Sequence, residues 1–253
     1  MQFLYLTDLH MRDPANSWVD NERANFFASC LRELAQTYAD AEFCVVTGDL
    51  TDQAEPMAYS WLYEQFKELP FPTIPLLGNH DDREAFWREF GVHGNNQANF
   101  VQSFRRSDNA CFIFLDTIKP GSDAGTLCDA RLFWLEKILQ ENRDVPVFLF
   151  MHHPPCEIGD VIMDPIKLDN PAELGRLLSN ARNVRHIFVG HVHRNITTSW
   201  EEIPLTSIPG QSLNTTSTHV DFGLTAGIVE FERDSIQVSQ VSFSHRASLK
   251  TFL

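Results

Sequence analysis

The chain has 253 residues, 43% of them hydrophobic and 21% charged, which excludes a disordered chain, a collagen-like chain and a small disulfide scaffold. Twenty Lys and Arg against 34 Asp and Glu leave a formal net charge of −14, so the surface offers no basic footprint for a nucleic-acid polymer or an anionic membrane. No apolar run is long enough for a transmembrane helix. The opening MQFLYLTDLHMRD has neither a basic n-region nor a small-residue cleavage site, so no signal peptide is expected. Cys30, Cys44, Cys111, Cys128 and Cys156 are odd in number and lack CxxC spacing, which points to reduced thiols in a cytoplasmic protein.

Up to His193, apolar runs alternate with amphipathic stretches, the pattern of βαβ units. Gln2 to Thr7 reads as a buried strand. Asn21 to Tyr38 reads as a helix with Phe26, Phe27, Cys30, Leu31, Leu34 and Tyr38 on one face. Glu42 to Thr47 is a second strand, and a helix runs from near Pro56, a residue suited to a first turn, to about Leu69. Thr73 to Leu77 and Ala110 to Leu115 are strands. Ala130 to Glu141 is a helix carrying Phe133, Trp134, Leu135, Ile138 and Leu139. Pro146 to Met151 is a strand, Ala172 to Leu178 a short helix and Val184 to Val189 a strand. Beyond His193 the pattern is β-rich without helices: Ile196 to Trp200, Leu205 to Ile208, Leu224 to Phe231 and Ile236 to Val241, with Ser212 to Asp221 as a polar loop. The expected architecture is a four-layer α/β/β/α sandwich. Residues 1–195 form its core, and residues 196–253 complete it and offer an oligomer or cap element.

Five polar motifs fall at strand ends: Asp8-Leu9-His10, Gly48-Asp49, Gly78-Asn79-His80-Asp81, His152-His153 and Gly190-His191-Val192-His193. Ligands bind at the C-terminal strand ends of open α/β sheets, so groups separated in sequence converge there. Each motif alone has a bland explanation as a strand exit or turn; all five together point to a metal site. The donors are carboxylate, imidazole and amide oxygen without thiolate, which suits Mn, Fe, Co or Zn. Seven ligand side chains are too many for one ion and fit two ions bridged by a carboxylate such as Asp49. Such ions would attract an anionic substrate that the acidic chain otherwise repels.

The pattern D-x-H, G-D, G-N-H-D, H-H and G-H-x-H resembles the calcineurin-like metallophosphoesterases over about residues 1 to 195. Gly48-Asp49-Leu50-Thr51-Asp52 and Met151-His152-His153-Pro154-Pro155 resemble the bacterial class III cyclic nucleotide phosphodiesterases and their glycerophosphodiesterase relatives. Ile162-Met163-Asp164-Pro165-Ile166 is similar to the latter branch. The resemblance implies one metal on Asp8, His10, Asp49 and His193 and a second on Asp49, Asn79, His152 and His191. It implies that Asn79 and His80 face the substrate, and that His80 stabilises phosphoryl charge or protonates the leaving alkoxide while a metal-bound hydroxide attacks phosphorus. Asp81 then holds the His80 ring or is a turn residue. His153 is structural rather than a ligand, and Asp116 has no assigned role. His93, His186, His219 and His245 are surface or packing residues.

The implied substrates are small phosphodiesters, either glycerophosphodiesters or 3′,5′-cyclic nucleotides, and a homo-oligomer is open. The alternatives are a phosphomonoesterase, a nuclease and a non-catalytic scaffold. Protein phosphatases of the superfamily carry arginine after the second-motif aspartate and GNHE, where this chain has Gln53 and Asp81. The charge of −14 argues against a nuclease. The retained His80 and complete ligand set argue against a scaffold. The final segment is short beside that of the glycerophosphodiesterase branch, so an inherited cap or assembly does not follow.

Overall fold

A computed structural model describes residues 1–91, 100–232 and 235–248. The first sheet is begun by β1 (Gln2–Leu6), β2 (Cys44–Val46) and β3 (Thr73–Pro75), which pair in parallel. They alternate with α1 (Trp18–Thr37), α2 (Pro56–Lys67) and α3 (Arg83–Phe90). The second sheet contains β4 (Ser103–Arg106), β5 (Cys111–Phe114), β6 (Val147–Met151) and β7 (Val184–Val189), with α4 (Asp129–Glu141) and α5 (Pro171–Ala181) between. β8 (Ile196–Trp200) and β9 (Ile203–Ser207) complete it in the order β4-β5-β6-β7-β9-β8. β10 (Gln211–Thr215), β11 (His219–Glu232) and β12 (Ser235–Ser248) return to the first sheet. Its order is β10-β11-β1-β2-β3, with β12 on the other side of β11.

Strand alternation explains the layers. Phe3 and Tyr5 of β1, Phe112 and Phe114 of β5, Phe148 and Phe150 of β6, and Phe188 of β7 face inward and form one aromatic core between the sheets. Phe3 stacks on Phe43 at 4.9 Å and meets Phe112, Phe150 and Phe188 edge-on at 5.6, 5.7 and 5.8 Å. The intervening residues face outward: Leu4 and Leu6 lie under α1 and α2, and Ile113, Leu149 and Ile187 under α4 and α5. The result is the α/β/β/α order expected from the sequence.

Helix ends follow local chemistry. The Ser17 side chain caps α1 by accepting from Asp20 N, and Asp82 caps α3 by accepting from Ala85 N at 2.9 Å. Pro56 and Pro171 open α2 and α5. Three elements were absent from the sequence reading: α3, β4 and β10. α3 has eight residues, but its Asp82 cap, its Phe86–Phe90 pair and the Gly91 stop at φ 72° are all legible afterwards. β10 corrects the expected Ser212–Asp221 loop. Asn214 is a poor strand residue and the run is polar, yet the segment pairs with β11 from Gln211↔Leu224 to Thr215↔Val220 as an outer strand. In α4, Phe133 is 72% exposed, whereas Arg131 takes a core position at 3%. His93 lies outside the described residues. His186 is buried against Phe188 and bonds Thr206 Oγ1 at 2.8 Å, and His245 stacks near Phe26.

Phe3→Ala removes the ring on which the inter-sheet core converges and is expected to cost about 3–5 kcal/mol in urea unfolding. Phe133→Ala, on the exposed face of the neighbouring helix, is expected to change stability by under about 0.5 kcal/mol.

Candidate metal centre

Strand ends from both sheets open on one cleft. Asp8 and His10 follow β1, Asp49 follows β2, Asn79 and His80 follow β3, His152 follows β6, and His191 and His193 follow β7. The backbone turns sharply where it leaves the strands. Asp8, His10, Asp49, His191 and His193 all have positive φ, between 44° and 74°, which is uncommon for residues other than glycine. Such backbone costs of order 1–3 kcal/mol per residue and persists where the surrounding structure fixes it. Gly48 shares this backbone at φ 95°, and the motif glycines also answer a second constraint. A Cβ on Gly48 would lie 2.6 Å from His152 Nδ1, and one on Gly78 would lie 2.6 Å from His152 Nε2. The chain therefore closes around the His152 imidazole with no room for a methyl group.

The side chains gather in two overlapping groups. In the first, His10 Nε2 lies 3.1 Å from His193 Nε2 and 3.5 Å from Asp49 Oδ2, while His193 Nε2 lies 3.6 Å from Asp8 Oδ1. In the second, His152 Nε2 lies 3.2 Å from Asn79 Oδ1 and 3.4 Å from Asp49 Oδ2, and His191 Nδ1 lies 2.9 Å from Asn79 Oδ1. Asp49 belongs to both. Atoms bound to one ion at about 2.0–2.2 Å sit no more than about 4.4 Å apart, so these separations fit shared ions. The donor chemistry fits as well. Lone pairs of imidazole and carboxylate face one another with few protons to share, and the nitrogen that His191 turns toward the group is Nδ1.

Surrounding groups orient these rings. His152 Nδ1 donates to the Thr47 carbonyl at 2.7 Å, which leaves the Nε2 lone pair directed at Asp49 and Asn79. Asp8 accepts from the Thr7 hydroxyl at 2.8 Å and from His191 N at 3.0 Å. Arg23 donates to the His10 carbonyl. His80 stacks edge-on against His10 at 4.7 Å, and its main-chain N donates to Asp49 Oδ1 at 3.0 Å. His80 Nδ1 donates to the Asp52 carbonyl at 2.8 Å, so Nε2 is the free nitrogen of a ring that is 40% exposed.

The charges are tightly linked. Burial opposes a charge on His152, but Asp49 and Asp8 outweigh it and raise its pKa to about 9. Burial likewise opposes ionisation of Asp49, and His152 and His10 reverse that effect, holding its carboxyl well below the usual range. Burial and the neighbouring His152 lower His191 to about 3, and burial lowers His193.

Three expectations change or sharpen. Asp81 does not orient His80. Its carboxylate is buried and accepts from Leu50 N, Gly78 N, Thr51 N, the Thr51 hydroxyl and the Tyr59 hydroxyl at 2.8–3.2 Å, fastening the second and third motif loops together. Asp52 takes the orienting role through its carbonyl, and its carboxylate lies 3.7 Å from His10 Nδ1. His153 is structural: Nδ1 accepts from the Thr117 hydroxyl at 2.8 Å and Nε2 donates to the Asp123 carbonyl at 3.1 Å, so neither nitrogen is spare. Asp116, left without a role, is fully buried and holds Arg83 through two bonds of 2.7 Å, with Arg131 3.6 Å away. Cys156, close to the motifs in sequence, is half-buried, and burial and Asp164 raise its thiol pKa.

Comparison with known proteins identifies the family. The family described as calcineurin-like phosphoesterase matches residues 1–195. A Rhodopseudomonas palustris protein named as a probable cyclic nucleotide phosphodiesterase is 35% identical over 207 residues, 81% of this chain and 76% of its own. An Arcobacter nitrofigilis protein named as a probable glycerophosphodiester phosphodiesterase is 33% identical over 208 residues, 80% of this chain and 76% of its own. A dimetal phosphatase from Danio rerio shares the fold with a TM-score of 0.67 at 13% identity, covering 88% of this chain and 95% of that one. With five motifs on five strand ends and a family match across three-quarters of its length, the chain belongs to the calcineurin-like phosphoesterase family.

Proposed function

We propose that the protein hydrolyses small phosphodiesters, glycerophosphodiesters or 3′,5′-cyclic nucleotides, at a centre of two divalent ions such as Mn, Fe, Zn or Co. Asp8, His10, Asp49 and His193 would hold one ion, and Asp49, Asn79, His152 and His191 the other. The observation that carries this reading is the placement of Asp49 Oδ2 between His10 Nε2 at 3.5 Å and His152 Nε2 at 3.4 Å, a carboxylate set to serve both groups. When bound, the ions would supply Lewis acidity toward the phosphoryl oxygens and activation of water near neutral pH.

The chain's own residues would do the rest. His80 is the proton donor: its Nδ1 is held by the Asp52 carbonyl, and Nε2 is available to protonate the departing alkoxide. Thr47 and Asp52 fix ring orientation before substrate arrives, so little reorganisation accompanies the reaction. Diesters are favoured over monoesters because the nearby guanidinium groups are engaged. Arg12 pairs with Glu55 at 3.0 Å, Arg194 with Asp160 at 2.5 Å and Arg83 with Asp116 at 2.7 Å, so these three are not free to meet the second charge of a monoester. A cytoplasmic setting suits five unpaired cysteines and the absence, among the described residues, of any helix long and apolar enough to cross a membrane.

Chelation should abolish turnover of glycerophosphoethanolamine and cyclic AMP, and added Mn should restore it; activity that survives exhaustive chelation would overturn the metal reading. Asp49→Ala should bring bound metal well below two ions per chain by elemental analysis. His80→Ala should keep its metal and lose about 10²–10⁴-fold in kcat. Full metal content in the Asp49 variant would remove the bridge, and unchanged turnover in the His80 variant would remove the proton donor.

A further inference from the structure

β3 ends the first sheet and β4 ends the second. Between these two edges, walled by α2 and α3, lies a cavity of about 400 Å³. Its lining is largely aromatic: Phe66 from α2, Phe86 and Phe90 from α3, and Phe114 from β5. Asp116 fixes two of its walls, accepting from Val101 N at 2.9 Å and holding Arg83 at the start of α3. Neither His80 nor any of the proposed metal ligands is among the lining residues.

Three polar groups stand in this apolar setting with unmet demands. Gln102 lines the cavity, is 6% exposed, and has its Oε1 buried without a hydrogen-bond partner. The Thr73 hydroxyl, also in the lining, is buried and unpartnered as well. Arg105 pairs with no carboxylate among the described residues; its guanidinium lies over the Phe43 ring at 5.6 Å. Lys67, by contrast, pairs with exposed Glu64 at 3.3 Å. A buried polar atom without a hydrogen bond costs about 1–3 kcal/mol, and native folds keep few of them. Water meets such groups but leaves the aromatic walls unpacked. A ring that carries its own polar groups satisfies both.

We propose that this cavity is a second ligand site, separate from the metal centre, and that it takes a small hydroxyaryl carboxylate. The ring packs among Phe66, Phe86 and Phe90. Its hydroxyl donates to Gln102 Oε1, and its carboxylate accepts from the Arg105 guanidinium and the Thr73 hydroxyl. Thr73 opens β3, and Arg105 pairs with Phe112 near the start of β5, so both lie toward the sheet ends remote from the metal centre. Gln102 precedes Arg105 by three residues, at most about 10 Å of chain. That matches a benzene ring with a hydroxyl at one end and a short carboxylate arm at the other. On a chain of net charge −14, the guanidinium of Arg105 is what makes the ligand an anion rather than a neutral phenol.

The test is calorimetric titration of the Mn-loaded full chain with 3-(4-hydroxyphenyl)propionate, 3-phenylpropionate and tyramine. The hydroxylated acid is expected to bind about five- to tenfold more tightly than 3-phenylpropionate, as one buried hydrogen bond predicts. Tyramine, with an ammonium in place of the carboxylate, is expected to bind at least about tenfold more weakly. Gln102→Leu should erase the advantage of the hydroxyl. Arg105→Met should weaken both acids about tenfold and preserve their ratio. A carboxylate captured by the metal centre instead would show no preference for the hydroxyl and no response to either variant, and that result overturns the site. So does the absence of binding at millimolar concentration. Should Gln102→Leu fail to fold, the unaltered chain decides alone: equal affinity for the two acids overturns the site. Turnover enters none of these readouts, so the diesterase reading stands or falls separately.

Discussion

Asp49 carries an unusual load for one carboxylate. One oxygen accepts the main-chain N–H of His80, and the other faces imidazoles that come from opposite sheets, His10 after β1 and His152 after β6. A buried carboxylate is costly unless its charge is compensated, and here the compensation comes from both halves of the sandwich. The sheets must therefore hold their relative position closely enough to keep two separations near 3.5 Å. The aromatic core just beneath does this. Rings interlocked edge-to-face and stacked resist sliding more than a core of aliphatic chains would, because each ring has few alternative seats. The packing of Phe3 and the chemistry of Asp49 are consequences of the same inter-sheet contact.

Around this point the polar groups divide their work. Thr47 and Asp52 use main-chain carbonyls, which have no rotamers, to set His152 and His80. Asp81 uses five donors to fasten the loops that carry Asp49 and Asn79. Asp116 fastens α3, which starts four residues beyond Asn79, to the end of β5 through Arg83. Buried carboxylates thus hold the frame as well as lining the site, and an acidic composition need not mean an acidic surface alone.

The strands and longer helices were legible because both sheets are covered on each side. Their strands are short apolar runs, and the helices between show a one-sided apolar pattern. The convergence of Asp8, His10, Asp49, Asn79, His152, His191 and His193 was legible because the motifs fall where strands end. What escaped had weak local signals or depended on distant partners. α3 is too short for periodicity to show, and β10 is polar because it lies at a sheet margin. Arg131 and Phe133 exchange the positions that hydrophobicity assigns them: Arg131 finds the carbonyls of Asp116 and Ile118 inside, while Phe133 stands 72% exposed. The roles of Asp81 and Asp52 could not be read from adjacency. The residue next to His80 points away from it, and the residue that orients it lies 28 positions earlier.

The order of strands in the first sheet has a consequence for how the molecule assembles. β1 lies between β2 and β11, pairing Gln2 with Glu230 and Tyr5 with Gly227, and the turn that presents Asp8 is braced by Gln211 N on the Asp8 carbonyl. The strand nearest the start of the chain keeps one open edge until a hairpin more than two hundred residues later arrives to close it. Closing so long a loop is slow, and an open apolar strand edge invites mispairing in the meantime. During synthesis on the ribosome, the second sheet can complete its strands from neighbouring segments while the first waits. The polypeptide that supplies Asp8 and His10 earliest is thus among the last to be locked into place.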